Sequence, residues 1–291
     1  MAHYLEGFET EGYLGKGSFG VVFEAKSKCD KVRYAVKRIS LSHRLNDDRK
    51  KDLREAETLA TLDHPNIVRY YTSWLETHPV GFYEDHDAKC LTGTLTQDDP
   101  DENSTTRNSA MVKKEQTYLF IQMELCEKQT LYDWLNDENT RQSEGSTLKG
   151  LDIFQQVVHA IDYIHNRAII HRDIKPKNIF FSGTGFVKLG DFGLAKEIIK
   201  GDESCQVGTI TYMSPGQLAG CEYVFEDDIY SLGIILFELL IPFSTASERA
   251  SAITKLKQMD FPSNFSENYP EEVLKRHVSA EETKETSVSQ K

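Results

Sequence analysis

Cysteine, tryptophan, proline and long hydrophobic runs are all scarce in this sequence, and each shortage narrows what the chain can be. Of 291 residues only five are cysteines, Cys29, Cys90, Cys126, Cys205 and Cys221, an odd number that never forms a C-x-x-C pair. That argues against a disulfide framework or a zinc site and for free thiols in a reducing, cytoplasmic setting. The longest apolar stretch, Ile229 to Phe243, is broken by Glu238 and Pro242 and is too short to cross a bilayer. It reads as a buried helix. The opening residues Met1-Ala2-His3-Tyr4-Leu5-Glu6 lack a basic segment followed by an apolar one, so no export signal is expected. Basic side chains are outnumbered 46 to 34, giving a net charge of −12. Wholesale electrostatic binding to nucleic acid or to an anionic membrane is therefore disfavoured.

What remains, 39% hydrophobic and 27% charged residues, is ordinary for a globular protein of one large or two small domains. The most informative stretch is His171-Arg172-Asp173-Ile174-Lys175-Pro176-Lys177-Asn178, with Asp191-Phe192-Gly193 beginning thirteen residues after Asn178. It presents two carboxylates and a carboxamide at neighbouring turns. Asp173 can accept the proton of a substrate hydroxyl, and Asp191 and Asn178 offer the oxygen ligands that a hard cation such as Mg²⁺ prefers. Lys175 adds positive charge where a migrating phosphoryl group spreads negative charge over its oxygens. A polar turn between hydrophobic strands would explain either run alone. Together, in this order and spacing, they point to phosphoryl transfer.

Upstream, short alternating apolar runs from Phe8 to Arg38 predict twisted antiparallel strands. Within them, Gly15-Lys16-Gly17-Ser18-Phe19-Gly20-Val21-Val22 would let backbone N–H groups approach phosphate oxygens, because no Cβ stands in the way. Dinucleotide-binding folds share that glycine spacing. Here, however, Val21-Val22-Phe23-Glu24-Ala25 alternates like a strand, and Tyr34-Ala35-Val36-Lys37 follows. In isolation Lys37 reads as a solvated lysine at a strand end; the resemblance of Tyr34-Ala35-Val36-Lys37 to the V-A-I-K of protein kinases makes it the candidate partner for the α- and β-phosphates. Asp47 to Leu62 turns helical, and Glu55 and Glu57 point about 200° apart on it, so only one of them can face Lys37. In the protein kinases that these motifs resemble, this helix carries a glutamate that ion-pairs with the strand lysine, and Glu55, nine residues before His64-Pro65-Asn66-Ile67-Val68, fits that place best.

These motifs resemble those of the eukaryotic protein kinase superfamily over about residues 8 to 270. Lys175 and the pair Gly208-Thr209 are similar to the serine/threonine branch. Finer features resemble the kinases of the translation initiation factor 2 alpha subunit: Asn66-Ile67-Val68-Arg69-Tyr70-Tyr71-Thr72-Ser73-Trp74-Leu75-Glu76, the acidic stretch after it, Leu119-Phe120-Ile121-Gln122-Met123-Glu124-Leu125-Cys126, and Pro242-Phe243-Ser244-Thr245-Ala246-Ser247-Glu248-Arg249. The resemblance implies an α+β, bilobal fold with a small antiparallel-sheet lobe over 1–123, interrupted by an acidic mobile insert at 77–115. A mostly helical, shortened lobe over 124–270 and a charged, disordered tail at 271–291 would follow.

The same resemblance implies ATP and Mg²⁺. Gly15, Gly17 and Gly20 would cover the phosphates, and Lys37, held by Glu55, would position them. Val22, Ala35 and Met123 would line the nucleotide pocket, with backbone groups of Glu124 and Cys126 toward adenine. Asn178 and Asp191 would bind metal, Asp173 would orient the hydroxyl, and Lys175 would stabilise the transferring group. Arg172 would clamp a phosphate on the activation segment, for which Ser204 and Thr209 are the candidates. Ser204 is preferred there, because Thr209 is expected to hydrogen-bond near Asp173 and Lys175. Asp228 would cap its helix and support the catalytic loop. The implied partners are the initiation factor 2 alpha subunit and a second copy through the smaller lobe, with no direct nucleic acid and no membrane.

There are two departures. Ser214-Pro215-Gly216 stands where kinases have A-P-E, and the helices that would carry the arginine partner of that glutamate are not in the sequence. Losing both halves of a buried pair can be nearly neutral, whereas losing one costs roughly 3–5 kcal/mol. Missing helices should nonetheless uncover apolar surface on the large lobe, including part of Asp228 to Leu240, predicting low stability or a covering partner. The rival to an active kinase is therefore a kinase-like inhibitor or decoy that binds a related kinase or its substrate.

Overall fold

Glycine-punctuated alternation in the first third of the chain produces an antiparallel sheet. The computed structural model describes residues 3–17, 20–41, 46–83, 87, 115–138, 140, 143, 145–197 and 208–262. Strands β1 (Phe8–Gly17), β2 (Gly20–Ser27), β3 (Arg33–Ser40), β4 (Tyr70–Pro79) and β5 (Glu115–Glu124) form a five-stranded sheet in the order β1-β2-β3-β5-β4. A short helix α1 (His3–Gly7) precedes β1, and α2 (Asn46–Ala60) follows β3 and touches β4 and β5. Alternation is clearest in β2, where Phe23, Ala25 and Ser27 are buried and their neighbours half-buried. Central β3 is buried from Tyr34 to Ile39, as a strand flanked on both edges requires. Its core is aromatic: Tyr4, Phe8, Tyr34, Tyr83, Tyr118 and Phe120 cluster with Val36 and Ala25.

The chain splits into two compact units, and two expected boundaries shift. The first unit takes Met1–Ala60 and Arg69–Leu125; the second takes Thr61–Val68 and Cys126–Lys291. Thr61–Val68 therefore leaves the first lobe, because Ile67 bridges Leu189 and Val68 donates its N–H to the Leu189 carbonyl at 2.9 Å. The stretch expected to be an insert from residue 77 begins later, since β4 continues to Pro79 in register with β5. Residues 88–114 and the tail at 271–291 lie outside the described residues.

In the second unit, α3 (Leu131–Asn136) and α4 (Ser146–His165) lead to the short strands β6 (Ile169–Ile170), β7 (Ile179–Phe181), β8 (Val187–Leu189) and β9 (Lys196–Glu197). Then come α5 (Pro215–Leu218), α6 (Phe225–Leu240) and α7 (Ala246–Leu256). On α4 the buried positions are Ser146, Gly150, Ile153, Val157, Ala160, Ile161 and Ile164, while Leu151 is exposed. Gly150 allows α4 and α6 a close approach: a Cβ there would stand 3.3 Å from the Leu239 carbonyl oxygen.

The expected uncovering of α6 does not occur. Every residue from Tyr230 to Leu240 is buried, because α6 is packed by α4, by α7 and by the turn Ile210–Tyr212. Glu238, the lone charge in that apolar run, is fully buried and paired with Arg249 of α7 at 2.6 Å. Nor does the segment after Gly216 lack an anchor. Ser214 caps α5 through its bond from the Gln217 N–H at 3.1 Å, and its hydroxyl donates to Asp227 Oδ1 at 2.5 Å. Among the described residues no helix is long and apolar enough to cross a membrane.

Candidate active site

In the first unit, the β1–β2 hairpin closes at Gly17 and Gly20. Gly15 has open space where a Cβ would be, whereas a Cβ on Gly20 would stand 2.3 Å from the Arg38 carbonyl oxygen. The approach of β3 therefore already demands glycine at 20. Ser18 and Phe19, at the tip, lie outside the described residues. On β3, Lys37 pairs with Val22 and Ile121, and its ammonium donates to Glu55 Oε1 at 2.6 Å. Both are withdrawn from water, at 5% and 3% exposure, which makes this a structured pair rather than a surface contact. Glu57 is exposed, as helical spacing requires once Glu55 faces inward. Ala35 pairs with Met123, and the Glu124 N–H is bound to the Arg69 carbonyl at 2.8 Å.

In the second unit, β7 and β8 set the metal-type ligands side by side. Ile179 pairs with Leu189, and one step further the Gly190 N–H donates to the Asn178 carbonyl at 2.9 Å. Asp191 follows directly, held in the left-handed region at φ 57°. Such a conformation in a residue other than glycine stores backbone strain and recurs at functional positions. The Asn178 amide donates to the Asp173 carbonyl at 2.8 Å and to Asp173 Oδ2 at 3.1 Å. This fixes the amide's orientation and leaves its carbonyl oxygen for a cation.

Asp173, 8% exposed, is the centre of the network. Lys175 Nζ donates to its Oδ2 at 2.6 Å and to Thr209 Oγ1 at 2.9 Å. Thr209 in turn gives its hydroxyl to Asp173 Oδ1 at 3.0 Å and its N–H at 3.1 Å. Gly208 makes this possible: its φ is +119°, and a Cβ would stand 2.7 Å from the Arg172 carbonyl oxygen. His171, fully buried, accepts the Asp173 N–H on Nδ1 and must therefore carry its hydrogen on Nε2, which meets the Gly190 carbonyl at 3.2 Å. The His171 ring thus joins the loop carrying Asp173 to the residue before Asp191.

The role expected for Asp228 divides between two carboxylates. Asp227 Oδ2 accepts the Val224 N–H at the start of α6, at 2.9 Å, so Asp227 does the capping. Asp228 instead receives the His171 N–H at 2.9 Å, the Arg172 N–H at 3.0 Å and His165 Nε2 at 2.8 Å. Those bonds hold Arg172 at φ 68°. Its guanidinium donates to the Leu194 carbonyl at 2.5 Å and lies 5.0 Å over the Tyr223 ring. Ser204, the preferred phosphate acceptor, lies outside the described residues.

The whole arrangement has a counterpart among known proteins, since residues 8–287 match the protein kinase domain. The chain belongs to that family. Protein kinases take ATP with Mg²⁺ and carry these parts in this order. The interferon-induced, double-stranded RNA-activated protein kinase of Mus musculus is 35% identical over 280 residues, 96% of this chain and 48% of the relative. Eukaryotic translation initiation factor 2-alpha kinase 3 of Rattus norvegicus is 27% identical over 467 aligned positions, covering 94% of this chain and 42% of the relative. Eukaryotic translation initiation factor 2-alpha kinase 1 of Mus musculus is 29% identical over 394, covering 92% and 63%. The kinase domain described here thus spans about half the length of the first of these, at 48%.

The donors fit the family's metal. Asp191 and Asn178 are an anionic and a neutral oxygen donor, the donor type that a hard cation takes. Mg²⁺ is held in that way, by one or two protein oxygens together with phosphates and water.

Sequence reasoning missed Tyr212, Arg249 and the inward role of Glu238. Tyr212 OH meets both Glu238 oxygens at 3.1 Å and accepts from Arg249 Nη2 at 3.1 Å. Burial first, and then the Glu238 charge, push the Tyr212 phenol well up, so it stays protonated and donates. The available signal was Glu238 itself, since a single carboxylate in an otherwise apolar buried helix requires a partner.

Proposed function

We propose that the chain is a serine/threonine protein kinase that transfers the ATP γ-phosphate to a hydroxyl of the translation initiation factor 2 alpha subunit and so restrains translation. The observation that carries this reading is the bonding of Asp173 to Lys175, Asn178 and Thr209 at 2.6–3.1 Å, a carboxylate fixed in place by three side chains. The two initiation factor kinases among the relatives support the substrate, as does the resemblance of Pro242 to Arg249.

In this reading Gly15, Gly17 and Gly20 bring backbone N–H groups to the phosphates, and Lys37, pre-oriented by Glu55, neutralises their charge. Val22, Ala35 and Met123 supply apolar contact to the base, with backbone groups of Glu124 and Cys126. Mg²⁺, held by Asn178 and Asp191, supplies charge neutralisation on the phosphates when bound. Asp173 accepts the proton of the attacking hydroxyl as its oxygen bonds the γ-phosphorus and the bond from that phosphorus to the bridging oxygen of the departing ADP breaks. Lys175 places a cation beside the oxygens that gain charge. Thr209 holds Asp173 Oδ1 while Lys175 and Asn178 hold Oδ2, so the carboxylate is oriented from both sides; the Thr209 pairing goes with the serine/threonine branch. Arg172 as clamp for a phosphate at Ser204 belongs to the same proposal, with Thr209 the second candidate. So does a homodimer through the first unit. Among the described residues Cys29, Cys126 and Cys221 are outside any disulfide, which fits a cytoplasmic setting.

A decoy would be favoured by Gly216, but Ser214 and Asp227 anchor that segment without a glutamate. The test is labelled-phosphate transfer from ATP to the alpha subunit, beside an Asp173→Asn control and a generic basic substrate. Transfer to the alpha subunit that vanishes in the control is expected. Folded protein that binds ATP and transfers nothing would overturn the enzyme reading in favour of the decoy.

A further inference from the structure

The turn Ile210–Tyr212 begins one residue after Thr209, and nearly everything that fixes it comes from α6 and α7. The Tyr212 N–H closes the turn on the Thr209 carbonyl at 2.8 Å. Ser231 of α6 donates to the Tyr212 carbonyl at 2.8 Å. Lys257, at the end of α7, donates to the Ile210 carbonyl at 3.2 Å and the Met213 carbonyl at 3.3 Å. Arg249, two helical turns earlier, donates to Glu238 Oε1 at 2.6 Å and to the Tyr212 hydroxyl at 3.1 Å. Its guanidinium also lies 5.1 Å over the Tyr132 ring of α3.

Two features set this apart from ordinary core filling. Arg249 and Glu238 are 8% and 0% exposed, and a buried ion pair is a poor stabiliser compared with apolar residues of the same volume. Its value lies in geometric specificity. The phenol between them is the one polar tip that the turn sends into the helices. It sits three residues from a threonine whose N–H and hydroxyl both bond Asp173 Oδ1, at 3.1 Å and 3.0 Å. A small rotation of the turn would therefore move Thr209 off Asp173 and free Lys175 from one of its two partners.

We propose that Tyr212 and Arg249 are positioning residues for phosphoryl transfer: through the turn Ile210–Tyr212 they hold Thr209 against Asp173 and Lys175. This rests on the kinase reading above for its chemical consequence, but its geometric content stands apart from it. Neither residue touches the reacting atoms. Glu238 aligns the phenol and the guanidinium, and Lys257 fixes the turn's carbonyls.

The test uses Tyr212→Phe, which keeps the ring and removes only the hydroxyl, together with Arg249→Ala and Thr209→Ala. Steady-state kinetics of Tyr212→Phe should show kcat about tenfold lower with the KM for ATP unchanged, the split expected when alignment and not nucleotide binding is lost. In a Thr209→Ala background the same substitution should lose most of that effect, because the hydroxyl bonds to Asp173 and Lys175 that Tyr212 helps to align are already gone. Hydrogen exchange supplies an arm independent of catalysis: the Thr209 amide, donated to Asp173, should exchange about tenfold faster in Tyr212→Phe, and faster still in Arg249→Ala. Unchanged Thr209 exchange in folded Tyr212→Phe would overturn the proposal, even if the chain proves to transfer phosphate. A tenfold loss that persists in full on Thr209→Ala would overturn it too. If the wild-type chain transfers nothing yet Thr209 exchange responds, the kinase reading fails while the positioning network stands.

Discussion

Glu76 in the first unit and Glu238 in the second are both carboxylates withdrawn from water, 4% and 0% exposed, but different chemistry satisfies them. Glu76 Oε1 accepts the Tyr4 N–H at 2.8 Å and Trp74 Nε1 at 2.7 Å; its Oε2 accepts the Tyr83 hydroxyl and His78 Nε2, each at 2.9 Å. Burial pushes this carboxyl up, yet the bonds from His78, Trp74, Tyr4 and Tyr83 outweigh it and hold it below the usual range. Glu238 is met instead by a guanidinium and a phenol. Burial alone would lower the Arg249 pKa, but the Glu238 charge overrides it and raises it. Glu76 thus gathers several donors, tying the opening helix α1 to β4. Glu238 depends on one counter-charge and ties the turn after Thr209 to α6 and α7. The first arrangement should weaken by degrees when altered and the second should fail as a unit.

The sharpest way to break that contrast is Glu238→Ala, which strands the Arg249 charge and should cost about 3–5 kcal/mol. Adding Arg249→Met to Glu238→Ala should return most of the loss, since no buried charge then lacks a partner. Urea midpoints of the two variants decide the matter, and equal midpoints would remove the distinction between a paired charge and a hub.

Glu76→Gln is the milder counterpart. It turns an amide toward two of the donors and should cost about 1–3 kcal/mol, leaving phosphoryl transfer per folded molecule unchanged. The pH dependence sharpens it. A carboxyl held below its ordinary 4.5 contributes stability that is complete above 4.5 and is lost as pH falls through the lower folded-state value. Thermal midpoints of the wild type should therefore fall more steeply below that pH than those of Glu76→Gln.

Ser214→Ala should cost about 1 kcal/mol, because it removes the cap of α5. It also removes the hydroxyl from Asp227, a carboxyl that burial holds above 3.8 and that Ser214 and the Val224 N–H pull down. The folded state keeps that proton in a window above 3.8 where the unfolded chain has lost it, so stability from this group declines as pH rises through the window. Without Ser214 the decline should be steeper in a melting series taken from low to neutral pH.

Much of the site could be read from the sequence because its chemistry is local in sequence. Asp173, Lys175 and Asn178 sit within six residues, and the hairpin that brings Asp191 beside Asn178 closes over a short turn. Lys37 and Glu55 needed only a strand, a helix and the rule that one glutamate faces inward. What stayed hidden was set by contacts between distant residues. Arg249 and Tyr212 lie 37 apart, and no periodicity in either segment marks the pair. Asp227 and Asp228 are adjacent, and only the phase of α6 decides which one caps and which one faces the catalytic loop. Likewise, the expectation of an uncovered α6 took no account of α4, α7 and the turn Ile210–Tyr212, which lie against it.

Gly216 is the smallest test and bears most directly on the departure from the kinase pattern. A glutamate there would ordinarily carry one half of a buried pair, so its absence looks like damage. The surroundings show no such dependence. A Cβ at 216 would meet Ser214 Oγ at 3.7 Å and Cys221 Cβ at 4.0 Å, ordinary contact distances, and this glycine has no positive φ. The segment is held at Ser214 by Asp227 and Gln217, not from position 216. Gly216→Ala should therefore fold normally and gain about 0.5 kcal/mol or less, chiefly by restricting the unfolded chain. Gly216→Glu should change the urea midpoint by no more than about 0.5 kcal/mol either way, the usual range for a surface position. A large gain from the glutamate alone would show that a counter-charge already waits for it, and that the anchoring by Ser214 and Asp227 is not sufficient.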